Sequence, residues 1–139
     1  MSNTATASPT RQQARGRIVY PLVATVATVI VWLIAHATLD DGLKAKAQGG
    51  DIQEIGLPVV IGVTLVVGFA ALGVVTLLDR KSPNARTLWT VISSVIFLLS
   101  LLGPAGSGDG GGSKVALLCM HVVVAAVLIP GFARTARKD

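Results

Sequence analysis

The chain has 139 residues, of which 52% are hydrophobic and only 14% are charged. Its charged side chains lie almost entirely between long apolar runs, whereas a water-soluble domain of this length would interleave apolar and polar residues. This separation excludes an ordinary soluble domain. The formal charge of +5 lies outside the runs, so we expect a membrane protein with no nucleic-acid partner.

Residues 1–17 are rich in Ser, Thr, Ala, Gln and Arg, so we expect a disordered cytoplasmic tail. Four apolar runs follow, and each reaches the roughly 17–25 residues that a transmembrane helix needs. We place the spans at about residues 18–39, 55–78, 87–104 and 115–133. Residues 135–139 form a short basic tail. The predicted fold is therefore all-α, an antiparallel bundle of four transmembrane helices within residues 18–134.

Basic residues gather in alternate connecting segments. The N-terminal tail, the second loop and the C-terminal tail hold nine basic and two acidic residues, and 9 − 2 = +7. The first and third loops hold three basic and five acidic residues, and 3 − 5 = −2. Because Lys and Arg in short loops stay on the cytoplasmic side, we expect both termini to be cytoplasmic and the chain to cross the plasma membrane several times.

The first span begins near Ile18, and we place Pro21 in its first turn, where the missing N–H costs little. Ala35-His36-Ala37 fits the A-x-A form of a signal-peptide cleavage site. The uninterrupted run Ile18–Ile34 is nevertheless longer than the roughly 7–15 apolar residues of a signal peptide. We therefore expect a retained signal-anchor helix, with cleavage as the alternative.

The second and third spans are joined by a short loop. Ser82-Pro83-Asn84 in this loop predicts a turn, so the two spans form an antiparallel hairpin. Within the second span, Gly62 and Gly73 are about three helical turns apart and share a face with Val66 and Phe69. Small residues allow close packing of helices in lipid, so we expect this face to pack inside the bundle, with a dimer contact as the alternative.

The other two loops differ in composition. The first, Thr38–Glu54, is long enough for a short amphipathic turn. The third, Ala105–Lys114, is dominated by glycine. A phosphate-binding loop requires Gly-Lys-Ser/Thr after a strand, whereas this segment ends in Gly-Ser-Lys and follows a membrane helix. We therefore predict a flexible connector.

Polar and aromatic side chains recur at helical spacing on one face of the first and third spans. The two stripes consist of Thr25, Thr28, Trp32 and His36, and of Thr90, Ser93, Phe97 and Ser100. Because lipid cannot satisfy polar groups, we expect the stripes to face each other or the bundle core. Most of the hydroxyl groups should bond to a carbonyl one turn back.

The histidines, with the thiol of Cys119, are the ionisable groups inside the spans. We place His36 and His121 in the outer half of the bundle, with Ser100 at a similar depth. The first and fourth helices are neighbours in an up-down bundle, so this geometry allows a contact between the two histidines. Intramembrane ionisable groups are functional candidates, and His36, His121 and Ser100 are therefore the candidate ligand- or cofactor-binding residues. The alternative is that each histidine only reaches the interface or bonds to a carbonyl or Ser.

No metal site is predicted, because two histidines without a placed carboxylate are a poor ligand set. Cys119 stands alone, which excludes an intramolecular disulfide, and we interpret it as a small apolar side chain.

Three segments resemble an uncharacterised family of small four-span integral membrane proteins from actinobacteria. They are Val31–His36, Leu98–Pro104 and Met120–Gly131, of which the last is the most distinctive. The resemblance covers roughly Ile18–Arg134. It implies four spans in a bacterial plasma membrane, and it brings no activity and no catalytic residue.

The sequence contains no nucleophile–base–acid set, no nucleotide loop and no paired carboxylates within a span, so we predict no enzyme, no catalytic residue and no cofactor. We expect a small accessory, structural or sensor protein that contacts the lipid bilayer and either another membrane protein or a second copy. One alternative is an oligomeric transporter or channel, suggested by the polar stripes. Another is a redox subunit that binds a cofactor through His36 and His121.

Overall fold

The computed structural model describes residues 11–47 and 50–137. The elements are α1 (Arg11–Thr38), β1 (Lys44–Lys46), β2 (Ile52–Glu54), α2 (Leu57–Lys81), α3 (Ala85–Ser100), α4 (Leu102–Ser107) and α5 (Gly110–Thr135). Within these residues four helical segments are long and apolar enough to cross a membrane, namely α1, α2, α3 with α4, and α5. The predicted four-span helical fold is confirmed.

The bundle has two distinct ends. We call the end that carries β1, β2 and α4 the hairpin end, and the end where α1 begins and α5 finishes the terminal end. Strands β1 and β2 form an antiparallel hairpin that pairs Lys44 with Glu54 and Lys46 with Ile52. The sequence suggested only an amphipathic turn here, because three-residue strands carry too little pattern to be recognised.

Helix α1 begins earlier than the sequence suggested. Residues 11–17, which we expected to belong to a disordered tail, are helical, while residues 1–10 lie outside the described part of the chain. Pro21 therefore lies inside the helix instead of in its first turn. Because Pro21 has no N–H, the Arg17 carbonyl lacks its usual hydrogen bond within the helix. The Pro21 ring packs closely against Gly68 of α2.

The third span is divided near its end. Pro104 has no N–H to donate to the Ser100 carbonyl, and α3 ends at Ser100 while α4 carries the helical path on from Leu102 to Ser107. The prediction of a flexible connector over Ala105–Lys114 is therefore wrong in its length, because most of this segment is helical. Only residues 108–109 link α4 to α5, and the Asp109 N–H donates to the Lys44 carbonyl of β1 at 3.2 Å.

Helix packing is uneven around the bundle. Helix α1 packs along α5 and α2, and α3 packs mainly on α5 and only lightly on α2. The predicted neighbourhood of the first and last spans is confirmed. In the described chain α1 and α3 make no contact, so their polar stripes do not pack directly against each other. The reason is that α2 and α5 approach one another between them.

The packing face of α2 also differs from the predicted one. Gly62 and Gly73 are exposed and have no neighbouring atom within 4 Å of an added Cβ, and Val66 and Phe69 on the same face are exposed too. The close approach is made by Gly68 instead, where an added Cβ would lie 2.8 Å from the Cβ of Pro21. The contact depends on the rigid ring of Pro21 in α1. The sequence pattern of α2 alone could not show which of its glycines faces this ring.

Two apolar clusters fill the interior. At the terminal end, Phe132 is fully buried, and its ring meets Tyr20 and Trp89 edge-on with centroids 5.5 Å apart in each pair. Trp89 is 4% exposed and its indole N–H donates to the Ile129 carbonyl at 3.1 Å, so it is a core residue. At the hairpin end the cluster consists of Leu43, Val60, Leu117 and Met120.

Candidate functional site

An apolar cleft of about 580 Å³ lies between α2, α3 and α5 and reaches as far as Thr28 of α1. This volume falls in the range of about 300–1,000 Å³ that small-molecule sites occupy. On α5 the lining runs from Leu117 to Ile129, which is about 18 Å along the helix at 1.5 Å per residue. We call this space the α2–α3 cleft.

The sequence of α2 explains why the cleft stays open. Short side chains recur at helical spacing on the face that borders it, and these are Val59, Val63, Val67, Ala70 and Val74. The opposite wall on α3 includes Ile92, Ile96 and Phe97. Valine and alanine are too short to fill the gap between two helices that pack only lightly on each other.

Five polar side chains border the cleft, and no charged residue of the described chain lines it. They are Thr28, Thr64, Ser93, Ser100 and His121. Two of the three candidate site residues, Ser100 and His121, therefore border one space, as do members of both polar stripes. The stripes share the bundle interior without touching.

His121 has a defined hydrogen bond. Its Nδ1 lies 2.8 Å from the Leu117 carbonyl oxygen, which can only accept, so Nδ1 carries the proton. In the neutral ring Nε2 is then an acceptor, and it has no hydrogen-bond partner within the described residues. His121 lies six residues past Val115, where the apolar run of α5 begins, which is about 9 Å along the helix axis in the half nearer the hairpin end.

The two serines direct their protons into their own helix. Ser93 donates to the Trp89 carbonyl at 2.6 Å, and Ser100 donates to the Phe97 carbonyl at 2.7 Å. This confirms the predicted bonding of hydroxyl groups to carbonyls one turn back. Each oxygen keeps a lone pair that faces away from that bond.

The threonines form the deepest polar contact. Thr28 is 1% exposed and donates to the carbonyls of Ala24 and Thr25, at 3.1 and 2.9 Å. Its oxygen lies 3.3 Å from that of Thr64 on α2. Since the single proton of Thr28 points to the carbonyls, Thr64 is the donor of this pair.

His36 lies apart from the cleft. Its ring is exposed and stacks on Trp32, with centroids 4.8 Å apart and planes 9° from parallel. The Trp32 indole N–H donates to the Ile55 carbonyl at 2.8 Å, which ties α1 to the segment after β2. His36 and His121 border different surfaces, so the structure does not bring the two histidines together.

A buried ion pair closes the terminal end. Arg17 is 4% exposed, and its guanidinium group donates to the carboxylate of Asp79, to the Thr135 carbonyl at 2.6 Å and to the Thr135 hydroxyl at 3.2 Å. The other oxygen of Asp79 accepts the Arg137 backbone N–H at 2.8 Å. One guanidinium group thus joins α1, α2 and the end of α5. We call this set the Arg17 cluster.

A family model described as a family of unknown function, DUF6069, matches residues 8–138. The chain belongs to this family. Neither the curated proteins nor the solved structures contain a match to it. This DUF6069 protein is a small multi-pass membrane protein, and its family brings no assigned activity or site residue.

The sequence of this DUF6069 protein indicated some site residues and missed others. His121 and Ser100 were identifiable because ionisable and hydroxyl groups are conspicuous in an apolar run. The role of Arg17 was not, because its position before the run resembled a tail and its partner is 62 residues away. The one available signal was Asp79, an acidic residue directly after an apolar run, beside Arg80 and Lys81.

Proposed function

We propose that this protein is a non-enzymatic accessory or sensor protein of the plasma membrane that holds one apolar molecule from the bilayer in the α2–α3 cleft. The observation that carries the proposal is the cleft itself, an uncharged space of about 580 Å³ bordered by four helices. Val59, Val63 and Ile96 line it and are exposed, so it opens sideways between α2 and α3. A molecule dissolved in the bilayer arrives from that direction.

The chemistry of the cleft supports binding over catalysis. A catalytic serine needs a base within hydrogen-bond reach of its hydroxyl. Ser93 and Ser100 bond to carbonyls of their own helix, and no hydrogen bond joins either of them to His121 in the described chain. The cleft also lacks a carboxylate among its described lining residues.

The charges at the two ends support the orientation and the location. Basic side chains collect at the terminal end, on or beside the helix termini, and these are Arg17, Arg80, Lys81, Arg86, Arg134 and Arg137. We infer that this end faces the cytoplasm, and the resemblance supports an actinobacterial plasma membrane as the location that we propose. In a Cys119→Ser background, an impermeant maleimide should label intact cells of Asp51→Cys but not of Lys81→Cys. The reverse pattern would contradict this orientation.

Two neighbouring alanines of α5 provide a matched test of the cleft. Ala125 lines it, whereas Ala126 is exposed outside it. In Ala125→Phe the new ring occupies cleft volume, and in Ala126→Phe it points elsewhere. Native mass spectrometry of the full chain, released from mild detergent, should show a retained apolar molecule in the wild type and in Ala126→Phe. Ala125→Phe should lose most of it.

Either of two results would overturn the proposal. One is equal retention in both alanine variants, and the other is no retained molecule in any of the three proteins. A protein partner retained in wild type and lost from Ala125→Phe would instead assign the cleft to a helix of that partner.

A further inference from the structure

The cleft presents hydrogen-bond acceptors and no spare donors. The proton of His121 Nδ1 is used on the Leu117 carbonyl, and the protons of Ser93 and Ser100 are used on carbonyls of α3. Thr28 and Thr64 satisfy each other and α1. What remains for an occupant is the lone pair of Nε2 and those of the serine oxygens.

Acceptors at this depth select the chemistry of the occupant. A molecule whose polar group only accepts gains no hydrogen bond here, because no donor is left to meet it. An anionic headgroup finds no cation, since none of the described lining residues is Lys or Arg. A hydroxyl group, in contrast, donates to Nε2 without bringing a charge into an apolar space.

The position of His121 fixes where that hydroxyl group lies. His121 lies about 9 Å inside the apolar run of α5, which begins at Val115, and apolar walls continue from there to Ile129. The headgroup of an ordinary phospholipid stays at the membrane surface, about 15 Å from the middle of a 30 Å core. The occupant therefore has its polar group within the bilayer and is otherwise apolar.

We propose that the α2–α3 cleft binds an uncharged, hydroxyl-bearing apolar molecule of the bilayer, a long-chain or cyclic alcohol. His121 Nε2 accepts a hydrogen bond from its hydroxyl group. This ligand class rests on the proposed function, because it requires that the cleft takes up a bilayer molecule at all. It adds that the cleft distinguishes an alcohol from an otherwise identical molecule that lacks the donor.

The test uses two probes that differ only in the donor. The full chain is placed in phosphatidylcholine nanodiscs with a diazirine-bearing hexadecanol or with its methyl ether, illuminated, and digested for mass spectrometry. The wild type should show labelled cleft residues, with the alcohol favoured about fivefold, the size of effect that one net hydrogen bond provides. In His121→Phe the cleft should still be labelled, and the alcohol and the ether should label it about equally.

Two further variants keep the result interpretable. In His121→Gln the amide oxygen is again an acceptor, so part of the preference should return. His36→Phe removes the histidine outside the cleft and should leave the preference at its wild-type value. Each variant must elute at the same volume as the wild type in size-exclusion chromatography.

The outcomes separate this inference from the proposed function. Equal labelling of the cleft by alcohol and ether in the wild type would overturn the ligand class and leave the cleft as a binding site. A preference that persists in His121→Phe would overturn the role of His121. No labelling of the cleft by either probe would overturn the proposed function together with this inference.

Discussion

The two sides of α5 show opposite kinds of packing. On the side of α1, this helix packs along both α5 and α2, whereas on the other side α2 and α3 stand apart and leave the α2–α3 cleft. In the most apolar part of α5, 39% of the residues are buried, against 11% in that of the span formed by α3 and α4. The same bundle thus combines a closed side that holds the fold together with an open side that faces the bilayer.

The difference in packing between the two sides follows from the size of the side chains at the helix contacts and from how the polar groups are hydrogen-bonded. On the closed side, Gly68 receives Pro21, and Gly131 receives Tyr20, where an added Cβ would meet ring carbons at 2.5–2.9 Å. Helix α3 contains no glycine, and its Ser93 and Ser100 donate to carbonyls of their own helix. In lipid, where apolar surface is not driven out of solvent, close contact depends on such small residues.

The largest effect is expected from breaking the Arg17 cluster. Arg17→Ala leaves the Asp79 carboxylate without its buried partner, which costs roughly 3–5 kcal/mol when one member of such a pair is removed. Unfolding by SDS in mixed micelles, followed through Trp32 and Trp89, measures the free energy. Arg15→Ala is the matched control, because Arg15 is exposed on the same helix. Equal losses in the two variants would show that the buried ion pair does not hold the closed side.

A smaller loss is expected at the contact between α1 and α2. Gly68→Ala places a Cβ 2.8 Å from that of Pro21, whose ring cannot move aside, and overpacking of this kind costs about 1–3 kcal/mol. Gly73→Ala, one and a half turns further along α2, meets no atom within 4 Å and should change stability by about 0.5 kcal/mol or less. If both variants unfold alike, the close contact is not what distinguishes the two sides.

The smallest effect is local and tests whether the two ends of the closed side are independent. Trp32→Phe removes the hydrogen bond to the Ile55 carbonyl, a net loss of about 0.5–1.5 kcal/mol. Hydrogen exchange should accelerate in residues 43–47 and 50–55 and stay unchanged near the Arg17 cluster. Trp89→Phe loses its bond to the Ile129 carbonyl and should show the opposite pattern. Acceleration at both ends in either variant would mean that the bundle opens as one unit.

The sequence predicted the elements better than their contacts. The four spans, the turn at residues 82–84 and the inward bonding of hydroxyl groups could all be inferred, because each depends on residues close together in the chain. The glycine face of α2 was placed wrongly, because Gly62 and Gly73 have the same local pattern that packing glycines have. Only the position of Pro21 on another helix singles out Gly68.

The candidate site shows the same division. His121 and Ser100 could be named from their rarity in apolar runs, but their common cleft depends on how far α2 and α3 stand apart. His36 had the same rarity, and it lies outside the cleft, stacked on Trp32. Whether a polar residue borders a site or a surface is set by the rotation of its helix, which distant contacts determine.

By itself, the sequence determined that this chain is a four-span helical membrane protein, because length and hydropathy act locally on each segment. The tertiary structure decided which side of the bundle is closed and which is open. That outcome rests on pairs far apart in the chain, such as Arg17 with Asp79 and Pro21 with Gly68. In a bilayer, helices are stable before they associate, and the fit between their surfaces then selects the arrangement.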